Sequence, residues 1–224
     1  MLDAALLPIL EKQLAATKGK KTFVVLHTYG SHFNYRERYN PEDSYFKPDT
    51  AMDAKYKNKD MLINAYDNTI RYTEKVVGNR IEIMKKRGGA AALVYTSDHG
   101  EDIFDDDRRM FLHASPIPSY YQLHVPLIFW ASGEYVANYG AEWEALEKHS
   151  GQAVSGSKEL FHTMLTLGGI DTDFREDSLS LASPDFKSGK RYYLNDHNEE
   201  ILLSETGMGR LDEAMFAKMG LRYP

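Results

Sequence analysis

The sequence Leu93-Val94-Tyr95-Thr96-Ser97-Asp98-His99-Gly100-Glu101 passes within a few residues from an apolar run to an acid, an imidazole and a glycine. Residues 91–96 are β-prone and lie between a Gly-Gly pair and this polar segment, which predicts a strand buried on both faces of a parallel sheet. Residues 97–101 then form the loop at the carboxyl end of that strand. Open α/β sheets gather their functional residues at this end, so we expect functional side chains in the loop.

Asp98 and His99 are candidate metal ligands. Asp98 offers a hard oxygen and His99 a nitrogen, a pair that suits Zn²⁺ and similar divalent ions, and Gly100 permits a backbone turn sharp enough to bring both side chains to one ion. The alternative is that Asp98 caps a helix and His99 is a surface residue. These two residues by themselves leave both interpretations open.

Composition excludes several classes of protein. The chain has 224 residues, 42% of them hydrophobic, which is enough for one sizeable core. A net charge of −6 with interspersed acids and bases leaves no basic stripe, so we expect no nucleic-acid partner. The absence of cysteine excludes disulfides and thiolate metal sites. No stretch approaches the ~20 apolar residues of a membrane helix, and we expect the chain as given to be soluble.

Strands and helices alternate along the first part of the chain. Residues 22–27 and 125–130 are further β-prone runs, and residues 60–87 carry apolar side chains at helical spacing. A strand, a long helix and a second strand in this order predict a parallel βαβ unit. We therefore predict an α/β sandwich with a mainly parallel central sheet, containing residues 22–27, 91–96 and 125–130, and helices on both faces.

The whole chain, residues 1–224, is predicted to be a single domain. Its core is expected within residues 1–170, and residues 171–224 are expected to form a terminal hairpin and a helix. Residues 33–59 are rich in tyrosine and polar residues without a sustained period, which predicts a long surface excursion.

Two further histidines follow apolar runs. His32 comes just after residues 22–27, and His113 ends a short apolar run that leads toward residues 125–130. We expect both to meet Asp98 and His99 at one edge of the sheet. His27, inside the predicted first strand, is expected to be a hydrogen-bonded core residue.

Together these segments resemble the later, carboxyl-terminal half of the catalytic domain of the membrane-anchored phosphoethanolamine transferases, which belong to the sulfatase and alkaline phosphatase superfamily. The resemblance extends well over residues 2–169 and more loosely beyond. It rests on the following segments in this order: Val24-Val25-Leu26-His27-Thr28-Tyr29-Gly30-Ser31-His32, Tyr66-Asp67-Asn68-Thr69-Ile70, Tyr95-Thr96-Ser97-Asp98-His99-Gly100-Glu101, Leu112-His113 and Val125-Pro126-Leu127.

The resemblance implies roles for four residues. Asp98 and His99 correspond to ligands of the catalytic Zn²⁺, or another divalent cation, and His32 and His113 would bind substrate near the transferred phosphate or a second ion. The implied reaction moves a phosphoryl group from a phospholipid donor to a lipid or glycan acceptor of the cell envelope. The full-length family protein is expected in the inner membrane, with a periplasmic catalytic domain.

The family's threonine nucleophile and one acidic metal ligand lie upstream of the matched part, and neither can be assigned to a residue here. We therefore expect the chain to be a fragment, with zinc binding that is weak or absent and no turnover by itself. An upstream half of the same domain is an expected partner. Without it, one edge of the predicted sheet would be exposed, which favours self-association.

Two alternatives stay open at this point. The metal-binding core does not specify the leaving group, so a sulfatase, phosphodiesterase or phosphoglycerol transferase of the same superfamily is one alternative, and transferase cannot be told from hydrolase. The other is a non-catalytic domain that retains the fold.

Overall fold

The computed structural model describes residues 1–113, 115–154, 156–195, 197 and 199–223. The chain divides into two compact units. The first contains Met1–Gly89, Leu93–His113 and His124–Trp130, and the second contains Ala90–Ala92, Ala114–Leu123 and Ala131–Pro224.

The described residues form helices and short strands. The helices are α1 (Leu6–Ala16), α2 (Lys59–Arg87), α3 (Tyr120–Leu123), α4 (Gly133–Asn138), α5 (Gly140–His149), α6 (Ser157–Leu167) and α7 (Arg210–Lys218). The strands are β1 (Ala92–Thr96), β2 (Asp102–Ile103), β3 (Phe111–Leu112), β4 (Leu127–Ala131), β5 (Tyr192–Leu194) and β6 (Glu200–Leu202). Short 3₁₀ helices lie at Asp3–Ala5, Tyr35–Glu37, Pro41–Asp43, Tyr56–Asn58, Asp177–Leu179 and Leu203–Glu205.

Helix α2 is the long helix predicted for residues 60–87, and the prediction is confirmed. Asp60 lies in its first turn and three basic residues occupy its last turn, which matches the direction of the helix dipole. Gly88, at φ +70°, ends the helix, since a side chain is strained in that conformation. Buried positions of α2 recur three and four residues apart and include Leu62, Ala65 and Tyr72.

The core of the first unit forms where α2 meets the segment before it and the β2–β3 hairpin. Its buried residues are Tyr35, Ala51, Leu62, Ala65, Ile103 and Phe104. The predicted surface excursion over residues 33–59 is therefore wrong in part, because Tyr35 and Tyr39 are both buried. Aromatic side chains supply enough apolar area to form a core without a regular hydrophobic period.

Two of the three strands predicted for the central sheet are present. β1 pairs with β4 in a two-stranded sheet, close to the predicted residues 91–96 and 125–130. Residues 22–27 form no strand, which corrects that part of the prediction. No described segment pairs with them, and Phe23 and Val25 are each 73% exposed. For the same reason β1 is only half-buried, and His27 is exposed and not a core residue.

The second unit contains the predicted terminal hairpin, in which β5 and β6 pair antiparallel. Tyr120, Leu203, Met208 and Phe216 form its buried cluster beside α7. The fully buried Asp212 accepts hydrogen bonds from the backbone N–H groups of Tyr120 and Gly209, which ties the start of α7 to α3. None of the helices in the part of the chain that the structure describes has the length and apolar character that a membrane span requires.

Candidate functional site

The β2–β3 hairpin brings Glu101 and His113 together. The strands pair antiparallel with Asp102 opposite Leu112 and Ile103 opposite Phe111, so continuing the register by one pair sets Glu101 opposite His113. Directly opposite residues have Cβ atoms about 5 Å apart. Leu112 has a left-handed backbone, with φ +67°, immediately before His113. Such strain in a non-glycine residue is most common at functional sites.

His99 approaches the same hairpin from the end of β1. The Ser97 hydroxyl donates to the His99 carbonyl oxygen at 2.8 Å, and His99 Nδ1 lies 2.9 Å from the Gly100 carbonyl oxygen. A carbonyl can only accept, so Nδ1 carries the proton and Nε2 presents its lone pair. The His99 ring lies against the His113 ring, with centroids 3.7 Å apart and the planes tilted by 30°.

Glu101 is a buried carboxylate whose two oxygens face different partners. Oε2 accepts a hydrogen bond from the Tyr35 hydroxyl, and Oε1 lies 3.4 Å from His113 Nδ1. Burial raises the pKa of the Tyr35 phenol, and the negative charge of Glu101 raises it further, so the phenol stays protonated and donates.

These residues could hold a divalent metal ion. Ligand atoms from His99, Glu101 and His113 lie within 4.8 Å of one another. Ligands arranged tetrahedrally around Zn²⁺ at ~2.1 Å lie ~3.4 Å apart, so atoms within 4.8 Å of one another can reach one ion by adjustment of their side chains. Two imidazoles and a carboxylate form a donor set that zinc accepts. Asp98, with its side chain 85% exposed and Oδ1 3.9 Å from His99 Nε2, is a further ligand within reach of the same ion.

Of the four residues selected from the sequence, the structure brings His99 and His113 into contact and leaves Asp98 beside them. His32 is not a member of the group. Its Nδ1 lies 2.5 Å from the Phe33 carbonyl oxygen, and no hydrogen bond or ion pair between described residues joins it to the group. Its role in substrate binding stays a prediction.

Glu101 and Tyr35 are the buried side chains of the candidate site. Neither was assigned a role from the sequence. A signal for Glu101 was present, because residues two apart along an extended segment share a face and Glu101 is two residues from His99. Tyr35 gave no such signal, since its contact with Glu101 joins residues 66 positions apart in the sequence.

Comparison with known proteins identifies the fold. The model of the Sulfatase family matches residues 1–170. Phosphoethanolamine transferase EptA of Salmonella typhimurium is 33% identical over 189 residues, which are 81% of this chain and 34% of that protein. The Kdo(2)-lipid A phosphoethanolamine 7''-transferase of Escherichia coli K12 is 31% identical over 138 residues, or 61% of this chain and 24% of that protein.

Solved structures of phosphoethanolamine transferases are also similar to this chain. The C-terminal periplasmic domain of phosphoethanolamine transferase EptC from Campylobacter jejuni has a TM-score of 0.74 at 30% identity, covering 84% of this chain and 60% of that one. The zinc complex of the corresponding domain of Escherichia coli EptC has a TM-score of 0.78 at 25% identity, covering 90% and 57%. The integral membrane lipooligosaccharide phosphoethanolamine transferase A from Neisseria meningitidis has a TM-score of 0.74 at 27% identity, covering 80% and 34%.

These comparisons confirm the resemblance to phosphoethanolamine transferases that the motifs predicted. The chain spans about a third of the length of the EptA relative. The family match includes every residue of the candidate site, from Tyr35 to His113. The chain therefore belongs to the sulfatase family.

Proposed function

We propose that this chain provides part of the active site of a metal-dependent phosphoethanolamine transferase. The observation that carries the proposal is the contact group of His99, Glu101 and His113 within the segment that matches the family. The acceptor is a cell-envelope lipid or glycan of the lipid A or lipooligosaccharide type, and the donor is a phospholipid. The names of the relatives support this substrate class. The periplasmic location of the related soluble domains supports a periplasmic site of action.

Each site residue has a distinct role in this proposal. His99 Nε2 and the Asp98 carboxylate would hold a Zn²⁺ or similar ion, whose charge would stabilise the oxygens of the transferred phosphoryl group. His113, stacked on His99, contacts a phosphate oxygen or the ion. His32 belongs to the substrate side of the site. A zinc complex of a related domain supports the choice of metal.

The nucleophile is proposed to lie outside this chain. Two hydroxyl groups that adjoin predicted site residues in the sequence already have hydrogen-bond partners: Ser97 donates to the His99 carbonyl, and Ser31 lies 2.6 Å from the Thr69 hydroxyl. Among the described residues no imidazole accepts a hydrogen bond from either hydroxyl, so neither has the adjacent general base that is one way to activate a hydroxyl. We therefore expect the covalent step to need a hydroxyl from a longer protein.

We further propose that residues 22–27 complete the central parallel sheet when a partner strand is present. Their β-prone sequence and exposed apolar side chains support this. The solved related domains are longer than this chain, which covers 57–60% of them, so an upstream half of the domain is the expected partner.

Zinc titration by calorimetry tests the metal site. We expect the chain to bind Zn²⁺ with a dissociation constant above about 1 μM. His99→Ala should weaken binding at least about tenfold, because it removes one of few ligands. His27→Ala, which removes an exposed imidazole outside the group, is the matched control and should change nothing. Equal losses in the two variants would contradict the assignment of the site.

A chimera tests the reaction. This chain would replace the matched third of Salmonella typhimurium EptA, and transfer of phosphoethanolamine to lipid A would be followed by mass spectrometry. We expect transfer by the chimera, none by its His99→Ala variant, and none by the chain alone. Release of free phosphoethanolamine without a modified acceptor would identify a hydrolase instead. Turnover by the chain alone would show that Thr28, Ser31 or Ser97 supplies a nucleophile.

A further inference from the structure

Tyr35 is wholly buried, yet its hydroxyl has a specific polar partner in the candidate site. Its ring packs edge-to-face against Phe33 and Tyr66, with centroids 5.3 Å and 5.2 Å away, inside the core cluster of the first unit. These contacts fix the direction of the phenol. The hydroxyl therefore reaches the Glu101 carboxylate from a rigid position and not from a mobile loop.

The Glu101 carboxylate lies between Tyr35 and His113. Oε2 accepts from the phenol and Oε1 faces His113 Nδ1 at 3.4 Å, a distance slightly beyond a hydrogen bond. Among the described residues no hydrogen bond reaches this nitrogen, so Oε1 is the acceptor that faces it. A buried carboxylate with one oxygen fixed by a phenol has little freedom to turn the other away.

The geometry therefore points to a role for Glu101 in orienting His113. A carboxylate that accepts the N–H of one imidazole nitrogen fixes the tautomer and orients the other nitrogen toward an ion or a phosphate oxygen. We propose that Tyr35 is a positioning residue: its hydroxyl holds Glu101 so that Oε1 keeps His113 in the Nδ1–H tautomer, with Nε2 directed into the site. This inference rests on the proposed function for what Nε2 contacts, but not for the tautomer itself.

The tautomer is measured directly by long-range ¹H–¹⁵N correlation spectra of the ¹⁵N-labelled, zinc-free chain, at a pH where imidazoles are neutral. The His113 signals are assigned by their loss in His113→Gln. We expect the wild-type chain to show the Nδ1–H form. Tyr35→Phe, which keeps the ring and removes only the hydroxyl, should shift His113 toward Nε2–H. Tyr66→Phe is the matched control, because Tyr66 is the neighbouring ring and has no described bond to Glu101.

Glu101→Gln keeps the test decisive if Tyr35→Phe does not fold. A glutamine amide in the same place can donate to Nδ1, so this variant should reverse the tautomer. A Tyr35 that only satisfies a buried carboxylate would lower thermal stability in Tyr35→Phe and leave the His113 spectrum unchanged. That result, or a wild-type chain with His113 in the Nε2–H form, would overturn the proposal.

Zinc affinity separates this inference from the proposed function. If the wild-type chain binds Zn²⁺, Tyr35→Phe should weaken binding by roughly 10- to 100-fold, the usual cost of losing a group that orients a ligand, and Tyr66→Phe should not. Tautomer shifts in a chain that binds no zinc would support the role of Tyr35 and refute the metal site. Zinc binding and a tautomer that are both unaffected by Tyr35→Phe would refute the role of Tyr35 and leave the metal site intact.

Discussion

The charged form of the Asp49 carboxylate is stabilised by hydrogen bonds to one of its oxygens. Its Oδ2 accepts from the Tyr39 hydroxyl at 2.7 Å, the Ser44 hydroxyl at 2.6 Å and the Asn68 amide at 3.1 Å. Burial raises the pKa of this carboxyl, but the bonds from Ser44 and Tyr39 and the charge of Arg36 outweigh it, so its pKa lies below the usual 3.8. The charged form is therefore the one that the fold stabilises.

Asp49→Asn should lower the free energy of unfolding by about 1–2 kcal/mol at neutral pH, because hydrogen bonds to a charged acceptor are lost. The folded pKa is depressed, so the contribution of Asp49 is complete above pH 3.8 and is lost as the pH falls through the folded pKa. Urea unfolding at several pH values should show the variant and the wild-type chain converging in acid. Asp53→Asn changes an exposed carboxylate and should have little effect on the free energy of unfolding. A difference in unfolding free energy between Asp49→Asn and the wild-type chain that grows in acid would contradict the argument.

At the residue scale, the sequence predicted the ends of strands better than the contacts between them. His99 and His113 were selected because an imidazole after an apolar run has few structural reasons to be there, and the structure brings their rings into contact. The sequence did not indicate the contacts of Glu101 and Tyr35, because these depend on the register of β2 with β3 and on a contact between distant segments. Neither is encoded by local spacing.

Helix α2 holds the irregular segment before it through one buried amide. Asn68 has no exposed surface, and its Oδ1 accepts from the backbone N–H groups of Tyr45 and Phe46, each at 2.9 Å. Its amide nitrogen donates to the Phe46 carbonyl oxygen at 2.9 Å and to Asp49. A segment without regular structure thereby satisfies backbone groups that burial would otherwise leave unpaired.

Asn68→Ala should lower the free energy of unfolding by about 2–4 kcal/mol, since it leaves several buried polar groups without partners at ~1–3 kcal/mol each. Asn79→Ala is the matched control, because it makes the same change at an exposed position of α2. Urea unfolding compares the two variants, and limited proteolysis should cut the Asn68 variant faster near Tyr45 and Phe46. Equal stability of the two variants would show that Asn68 does not anchor this segment.

At the element scale, predictability follows from where the stabilising partners lie. The helix over residues 60–87 was predicted almost to its ends, because its spacing, dipole charges and terminal glycine are all local. The strand over residues 22–27 was predicted from equally local signals and is absent, because a strand exists only when another strand pairs with it. β1 pairs with β4, whereas residues 22–27 pair with no described segment.

The whole chain consequently presents apolar, β-prone surface to solvent. Phe23 and Val25 are each 73% exposed and Tyr29 is 61% exposed, within nine residues that form no helix or strand. An unpaired segment of this composition is a template for pairing with another chain. A second copy of this chain is the partner always available to the purified protein, so we expect it to associate with itself.

The association should depend on concentration and be visible by sedimentation velocity as a shift from monomer to dimer or larger species. Phe23→Ser combined with Val25→Ser should return the chain to monomer, because it removes the apolar contacts and the high β propensity together. Ile170→Ser combined with Phe174→Ser is the matched control, since it removes two exposed apolar side chains outside this segment. If both double variants dissociate alike, exposed apolar area in general drives the association. If neither dissociates, residues 22–27 do not form its interface, and their exposure has no bearing on how the sheet is completed.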